Sequence, residues 1–184
     1  MSGNAMDSTF RRRSAGRESN LLKPVRRIVT GYDQLNRSVI LSDGAPNRVQ
    51  TLSGNGPTYH EIWSTRESPA LIKVGTAEPS EDQLTLQPPA SGTRVRILDM
   101  LPERRDPVTV NTGTHALLHR TESVDYAIVL QGEITLILDQ GETLVSAGDV
   151  VVQRGTQHAW ANRSGRLCRI ALVLIDARFA DPLK

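Results

Sequence analysis

The amino-acid sequence predicts an all-β protein, folded as a sandwich or barrel of short strands. From residue 93 onward, strand-like runs are separated by Gly- and Asp-containing turns at intervals of about ten residues, a spacing typical of such folds. No stretch keeps a helical period for longer than a turn or two. The chain of 184 residues is long enough for one domain with a substantial hydrophobic core.

The N-terminal half predicts a tail, a hairpin, a further strand and a long loop. Residues 1–23 are polar and without period, so we expect a flexible basic tail there. Residues 24–92 are expected to pack on the barrel or on a partner subunit. Within them, the proline-rich residues 65–91 predict a surface loop of the kind that lies over a site or an interface. Three strand-like runs precede this loop, and the first two flank a turn and predict the hairpin: Val25–Thr30, Ser38–Leu41 and Tyr59–Ser64.

Residues 93–177 are predicted to form the barrel, followed by a C-terminal tail over residues 178–184. Eight strands are expected in the barrel: Thr93–Leu98, Thr114–Thr121, Asp125–Leu130, Glu133–Leu138, Thr143–Ser146, Val150–Gln153, His158–Asn162 and Leu167–Ile175. The runs at 150–152 and 171–175 are apolar on both faces. This pattern predicts that one face lies inside the barrel and that a second sheet or a partner subunit covers the other.

Composition and charge exclude several classes of protein. A single cysteine excludes an intramolecular disulfide scaffold, and no run reaches the roughly 18 apolar residues of a membrane helix. The first ten residues lack the apolar segment of a secretory signal, so we expect a cytoplasmic protein that binds no membrane. Residues 1–27 carry seven Lys and Arg against two acidic residues. Because no aromatic residue interleaves with Arg11–Arg13, we expect no nucleic-acid binding.

Three side chains are candidates for chemistry: His119, Asp125 and His158. Two imidazoles and one carboxylate on neighbouring strands can hold a divalent transition metal while leaving positions open for substrate. The alternative is that each histidine is a hydrogen-bonded structural residue. In the predicted strand over 114–121, His115 shares a face with His119 but lies about 13 Å from it, so we expect His115 to line the pocket or to lie on the surface.

The spacing of these residues resembles the two motifs of the cupin superfamily. The first family motif reads Gly, five residues, His-x-His, three or four residues, Glu, six residues and Gly, and it is matched here by Gly113, His119, Thr121, Asp125 and Gly132. The second motif begins with Gly-Asp and is matched by Gly148, Asp149, Gly155, His158 and Asn162. The resemblance covers residues 113–162 closely. It implies a cupin-type jelly-roll barrel with additional N-terminal strands and a small-molecule site inside it.

The chain departs from the family pattern at two ligand positions. Thr121 stands where the family usually has its second His, and Asp125 stands where it has Glu. The resemblance therefore implies a site for Fe, Mn, Ni or Zn held by His119, Asp125 and His158 alone. It equally leaves open a metal-free site in which His119 and His158 act as catalytic acid and base.

Three further residues are candidates for binding the substrate: Thr121, Trp160 and Arg154. Trp160 shares a strand face with His158, so it either walls the pocket or belongs to the core. The Arg154 guanidinium either grips a substrate carboxylate or faces solvent.

The resemblance implies an enzyme of lyase, dehydratase, decarboxylase or isomerase type. Its substrate would be an oxygenated or aromatic organic acid, or a polyketide-like molecule, bound inside the barrel. One alternative is an Fe(II)-dependent dioxygenase with the same ligands, and another is a non-catalytic ligand-binding protein. Small cupins are commonly dimers, so we also expect a homodimer in which N-terminal strands can be exchanged.

Overall fold

The computed structural model describes residues 22–52, 56–75, 84–103 and 118–183. All secondary-structure elements within these ranges are β-strands. The strands are β1 (Arg27–Tyr32), β2 (Ser38–Gly44), β3 (Arg48–Thr51), β4 (Thr58–Thr65), β5 (Thr93–Met100), β6 (Ser123–Gln131), β7 (Glu133–Leu138), β8 (Gly141–Ser146), β9 (Val150–Arg154), β10 (His158–Ala161) and β11 (Cys168–Asp176). Among these residues no helix is long and apolar enough to cross a membrane. The predicted all-β class is confirmed.

Two antiparallel sheets form the body of the molecule. The larger sheet has the order β3-β4-β5-β11-β6-β9, and the smaller has the order β10-β7-β8. Their inner faces share one hydrophobic core. Its buried members from the larger sheet are Ala127, Val129, Cys168 and Ile170, and those from the smaller sheet are Ile134, Leu136 and Val145.

Strand alternation divides the inner face of the larger sheet into an apolar end and a polar end. On β6 the buried residues change along the strand from Ser123 and Asp125 to Ala127 and Val129. On β5 they change from Arg94 and Arg96 to Leu98. Cross-strand register places Arg94 and Asp125 opposite the same β11 residue, Leu174. The polar residues of different strands are therefore gathered at one end of the sandwich.

Most of the predicted strands are present, with two differences. The β1–β2 hairpin is confirmed, and β7 has the predicted bounds. Strand β3, which pairs with β4, was not predicted. The predicted strand over 114–121 is wrong for its described part: residues 118–121 contain only an isolated bridge at His119, and residues 104–117, with His115, lie outside the described residues.

The N-terminal strands contribute differently to the fold. Strands β3 and β4 extend the larger sheet of the same chain, whereas β1 and β2 form a separate two-stranded sheet. The hairpin, the end of β4 and the loop over residues 66–75 line a cleft of about 810 Å³. None of the predicted site residues lines this cleft.

The C-terminal segment packs on the loop that precedes β6. The Ala177 amide donates to the Glu122 carbonyl at 3.1 Å. The Arg120 guanidinium lies 3.7 Å from the centre of the Phe179 ring and donates to the Leu183 carbonyl. Residues 177–183, which cover most of the predicted tail, are thus held against residues 120–122.

The outer face of the larger sheet is apolar and open in the described part of the chain. Val150 and Val152 on β9 are 57% and 55% exposed, so no second sheet formed by the described residues covers them. Tyr126, predicted to point away from the interior, is also exposed on this face.

Candidate functional site

The two candidate histidines are brought together by a backbone bridge. The His119 amide donates to the His158 carbonyl, and the His158 amide donates to the His119 carbonyl, both at 2.9 Å. The ring centres lie 4.3 Å apart with the planes inclined at 56°. This contact joins the loop before β6 to the start of β10, so the pair forms although residues 118–121 are not a strand.

The hydrogen bonding of His158 fixes its tautomer. Its Nδ1 lies 2.9 Å from the Thr156 carbonyl oxygen, which can only accept, so Nδ1 carries the proton and donates it. In the neutral ring, Nε2 then has a free lone pair. Burial lowers the pKa of His158 to about 4, the bond to Thr156 opposes this, and the charge of His119 adds to it. His158 is therefore a neutral proton acceptor at neutral pH.

Asp125 lies on the inner face of β6 with its two oxygens in different surroundings. Oδ2 accepts a hydrogen bond of 3.0 Å from Gln153 Nε2, the residue opposite it on β9. Oδ1 is buried and accepts no hydrogen bond. Burial raises the pKa of Asp125, while the nearby Ser123 hydroxyl, the bond from Gln153 and the charges of His119 and Arg96 oppose that rise. The protonated form of this carboxyl group is therefore more readily populated here than in a solvent-exposed aspartate.

A buried ion-pair cluster adjoins these residues on β4 and β5. Arg96 Nη2 lies 2.9 Å from Glu61 Oε1, and Arg94 Nε lies 3.8 Å from Glu61 Oε2. Both guanidinium groups also donate to the Thr85 carbonyl oxygen, and the Arg96 guanidinium lies 5.3 Å from the centre of the Tyr59 ring. The two arginine residues are 2% and 1% exposed, so the polar end of the interior contains fixed positive charge.

Of the three predicted substrate-binding residues, two lie on the inside of the sandwich and one does not. Thr121 is buried, and its hydroxyl oxygen accepts a 2.8 Å bond from Ser123. Trp160 shares the inner face of β10 with His158 and packs against the hydrophobic core. Arg154 is exposed at the end of β9, on the face opposite the buried Gln153, so the structure does not bring it to the site.

Gly155 lets the chain turn between β9 and β10 close to the site. Its φ of +61° lies in the left-handed region that favours glycine. A Cβ atom here would lie 2.6 Å from the Phe179 ring and 3.1 Å from the Thr121 carbonyl oxygen. The close approach of these three residues helps to hold the loop that carries Thr156, the hydrogen-bond partner of His158.

The donor set does not fit a three-ligand metal centre. Across the described ranges, no three His, Cys, Asp or Glu side chains are grouped so that they could hold a metal ion. His119, Asp125 and His158 are all within these ranges and do not form such a group. The chemistry derived below therefore uses the side chains of this chain alone.

Sequence reasoning missed Glu61, Arg94, Arg96 and Gln153 as residues of the site. The run TRVRIL was identified as a strand, but alternation alone does not say which of its faces is buried. The only signal for Gln153 was that it replaces the proline usual in the second family motif. The available signal for Arg94 and Arg96 was that two charged residues alternate along a central strand.

Comparison with known proteins identifies relatives along most of the chain. The cupin domain family matches residues 108–175. A phomopsin biosynthesis cluster protein of Diaporthe leptostromiformis is 34% identical over 175 residues, which cover 90% of this chain and 86% of the relative. A cupin-domain-containing oxidoreductase of Aspergillus ruber is 31% identical over 163 residues, covering 84% and 74%. Another oxidoreductase of this description, from Neurospora crassa, is 30% identical over 165 residues, covering 85% and 78%.

These matches agree with the two sequence motifs and with the arrangement of the strands. The family match begins before the described residue 118 and ends in β11, so it contains His119, Asp125 and His158 but not β4 or β5. On the strength of the family match and of relatives aligned over at least 84% of its length, this chain belongs to the cupin superfamily.

Proposed function

We propose that the protein is an enzyme of secondary metabolism that acts on a small oxygenated organic acid by acid–base catalysis, as a lyase or isomerase. The observation that carries the proposal is the contact of His119 with the buried His158, whose tautomer is fixed by Thr156, together with an Asp125 carboxyl group close enough for the charge of His119 to act on it. Pairs of titratable groups whose environments favour opposite proton-transfer roles are typical of acid–base catalysts.

The names of the relatives support the enzymatic and biosynthetic part of this proposal. One relative is named for the phomopsin biosynthesis cluster, and two are named cupin-domain-containing oxidoreductases. The type of reaction is proposed from the side chains of the site.

In the proposed reaction, His158 Nε2 removes a proton from the carbon next to a carboxylate or carbonyl group. The protonated Asp125 carboxyl gives its proton to a hydroxyl group on the neighbouring carbon. The C–O bond breaks, water leaves, and the electron pair of the C–H bond becomes the new double bond. In an isomerase, the proton instead returns to a different carbon of the same substrate. An anionic substrate beside His158 raises the pKa of the imidazole and makes it a stronger base than in the free protein.

A second candidate function is oxidoreductase chemistry, including that of an Fe(II)-dependent dioxygenase. The names of two relatives favour it. Such a reaction needs an electron acceptor, either dioxygen with a metal ion or an organic cofactor, in addition to the described side chains. A third possibility, a binding protein without catalysis, differs from both because it forms no product.

Solvent hydrogen exchange separates the three functions. The protein is incubated with hydroxylated aliphatic and aromatic acids in D₂O, without oxygen and with a chelator, and the acids are analysed by mass spectrometry. We expect one of them to gain deuterium or to lose water, since proton abstraction by His158 requires neither oxygen nor metal. Turnover only with ferrous iron and oxygen would favour the dioxygenase. Saturable binding with neither exchange nor product would favour a binding protein.

We also propose a homodimer that buries the outer face of the larger sheet and the β1–β2 hairpin against a second copy. The face has exposed apolar residues on β6, β9 and β11, and the strands of the hairpin, which pair only with each other among the described strands, add three more: Tyr126, Leu130, Val150, Val152, Ile175, Ile28, Tyr32 and Ile40. An exposed apolar sheet face and a separate hairpin within one chain are what two copies can bury reciprocally.

Light scattering coupled to size-exclusion chromatography tests the dimer. We expect twice the chain mass for the native protein and a shift towards the chain mass for Val152→Glu. The control is Leu144→Glu, because Leu144 on β8 is 60% exposed, close to the 55% of Val152, but belongs to the smaller sheet. A monomeric native protein, or an equal effect of both variants, would contradict the proposed interface.

A further inference from the structure

The inward face of β5 carries charge where a sandwich core normally carries apolar side chains. Arg94 and Arg96 are 2% and 1% exposed, whereas Val95 and Ile97, between and beyond them, lie on the outer face. Arginine is almost never this buried unless it is paired. For Arg96 the pair is Glu61, at 2.9 Å on the adjacent strand β4.

The hydrogen bonding of Arg96 is incomplete. Its Nη2 reaches Glu61 and the Thr85 carbonyl, but its Nε is buried and has no hydrogen-bond partner. This N–H group can only donate, and a donor of a charged group binds most strongly to an anionic oxygen. A carboxylate is therefore the kind of group that would complete the hydrogen bonding of Arg96.

Asp125 presents the complementary deficiency in the same part of the interior. Its Oδ1 is buried without a hydrogen-bond partner, since the neighbouring Ser123 hydroxyl donates to Thr121, and Arg96 is close enough for its charge to act on this carboxyl group. Leu174 on β11 is paired with Asp125 on one side and Arg94 on the other, and Arg96 is paired with Leu172, two residues along the same strand. A hydroxyl group is the natural partner for Asp125, because it can both donate to and accept from a carboxyl group.

We propose that Arg96 binds the carboxylate of a hydroxylated organic acid, with the hydroxyl group of the same molecule on Asp125. The inference rests on the proposed function for the location of the substrate, and it adds the substrate's charge and the residue that selects it. Arg96 is a specificity-determining residue here and takes no part in proton transfer. Carboxylate binding, which the sequence left as one of two alternatives for Arg154, is thereby assigned to Arg96.

Glu61 has a defined role in this arrangement. In the absence of ligand it balances the charge of Arg96, and Tyr59 stacks on the same guanidinium. A bound carboxylate and Glu61 are both anions that interact with Arg96. Because the two compete, removing the charge of Glu61 strengthens the binding of an anion, although it removes a contact from the folded protein.

Calorimetric titration with 3-hydroxybenzoate and its neutral analogue 3-hydroxybenzamide tests the proposal. We expect the native protein to bind the acid at least tenfold more tightly than the amide, and Arg96→Gln to abolish this preference. Glu61→Gln is expected to increase the affinity for the acid several-fold without increasing that for the amide. Arg154→Gln, which removes an exposed guanidinium, serves as the control and leaves both affinities unchanged.

Several outcomes would overturn the inference. These are equal affinities for acid and amide, no binding of the acid at millimolar concentration, and a loss of affinity in Glu61→Gln. If Arg96→Gln does not fold, Glu61→Gln still tests the proposal. This variant retains Arg96, and its affinity for 3-hydroxybenzoate is expected to rise rather than fall. The readout is binding, so a failure of the proposed catalysis leaves these results unchanged and is detected separately by the exchange experiment.

Discussion

Replacing His158 with Asn is expected to lower kcat/KM by about 10²–10⁴-fold, the range that a general base contributes. The Asn amide nitrogen takes the position of Nδ1 and can still donate to the Thr156 carbonyl, which His158 contacts at 2.9 Å. The variant therefore keeps the local hydrogen bond and loses only the proton-accepting Nε2. Steady-state kinetics on the substrate found by deuterium exchange, together with the melting temperature, measures both effects.

His158→Gln is the matched control for this variant. Its amide group reaches the position of Nε2 but no longer supplies the donor to Thr156, so it is expected to lose stability as well as activity. A His158→Asn protein that kept native kcat/KM would show that His158 is not the base. Equal loss of stability in both variants would show that the bond to Thr156 does not hold the β9–β10 turn.

Replacing Glu61 with Leu is expected to lower the free energy of unfolding by about 3–5 kcal/mol, the cost of breaking a buried ion pair by removing one partner. The substitution leaves Arg96 buried with its charge uncompensated at 1% exposure. Urea unfolding monitored by tryptophan fluorescence measures the loss.

Two comparisons make this stability measurement specific. Adding Arg96→Met to Glu61→Leu is expected to recover part of the loss, because apolar side chains can replace a buried ion pair at little cost. Recovery is partial because Arg94 remains near the substituted position. Glu142→Leu removes the half-exposed partner of Arg163 and is expected to cost less than about 1 kcal/mol. Similar losses for Glu61→Leu and Glu142→Leu would contradict a buried pair.

The fold was predictable where local pattern and turn chemistry agree. Strand β7 has the predicted bounds because an alternating run is preceded by Gly132, whose φ of +78° suits a turn, and is followed by the turn at 139–142. Strand β3 has a single apolar residue, Val49, in the sequence RVQT, and its pairing with β4 is a tertiary contact that no local pattern indicates. The loop before β6 alternates like a strand, yet its described part makes only the bridge at His119.

The candidate site was predictable to the extent that the family motifs carry it. The motif spacing predicted that His119 and His158 belong to one site, and their ring centres lie 4.3 Å apart in the structure. It gave no information on Arg96, because the alternation of TRVRIL is compatible with either face being buried. The burial of Arg96 depends on Glu61, which lies on a different strand. Pairing of charges across strands is a property of the assembled sheet.

The Arg96–Glu61 pair lies outside the family match, which covers residues 108–175. Proton transfer and the selection of an anionic substrate are therefore proposed to use different segments of the chain. The groups proposed to move protons lie within the matched segment, whereas the group proposed to select an anion, and its counter-charge, come from β5 and β4. Substitutions on those two strands are therefore expected to change the preferred charge of the substrate. Because the charge of Arg96 also acts on the pKa of Asp125, such substitutions are expected to alter proton transfer as well.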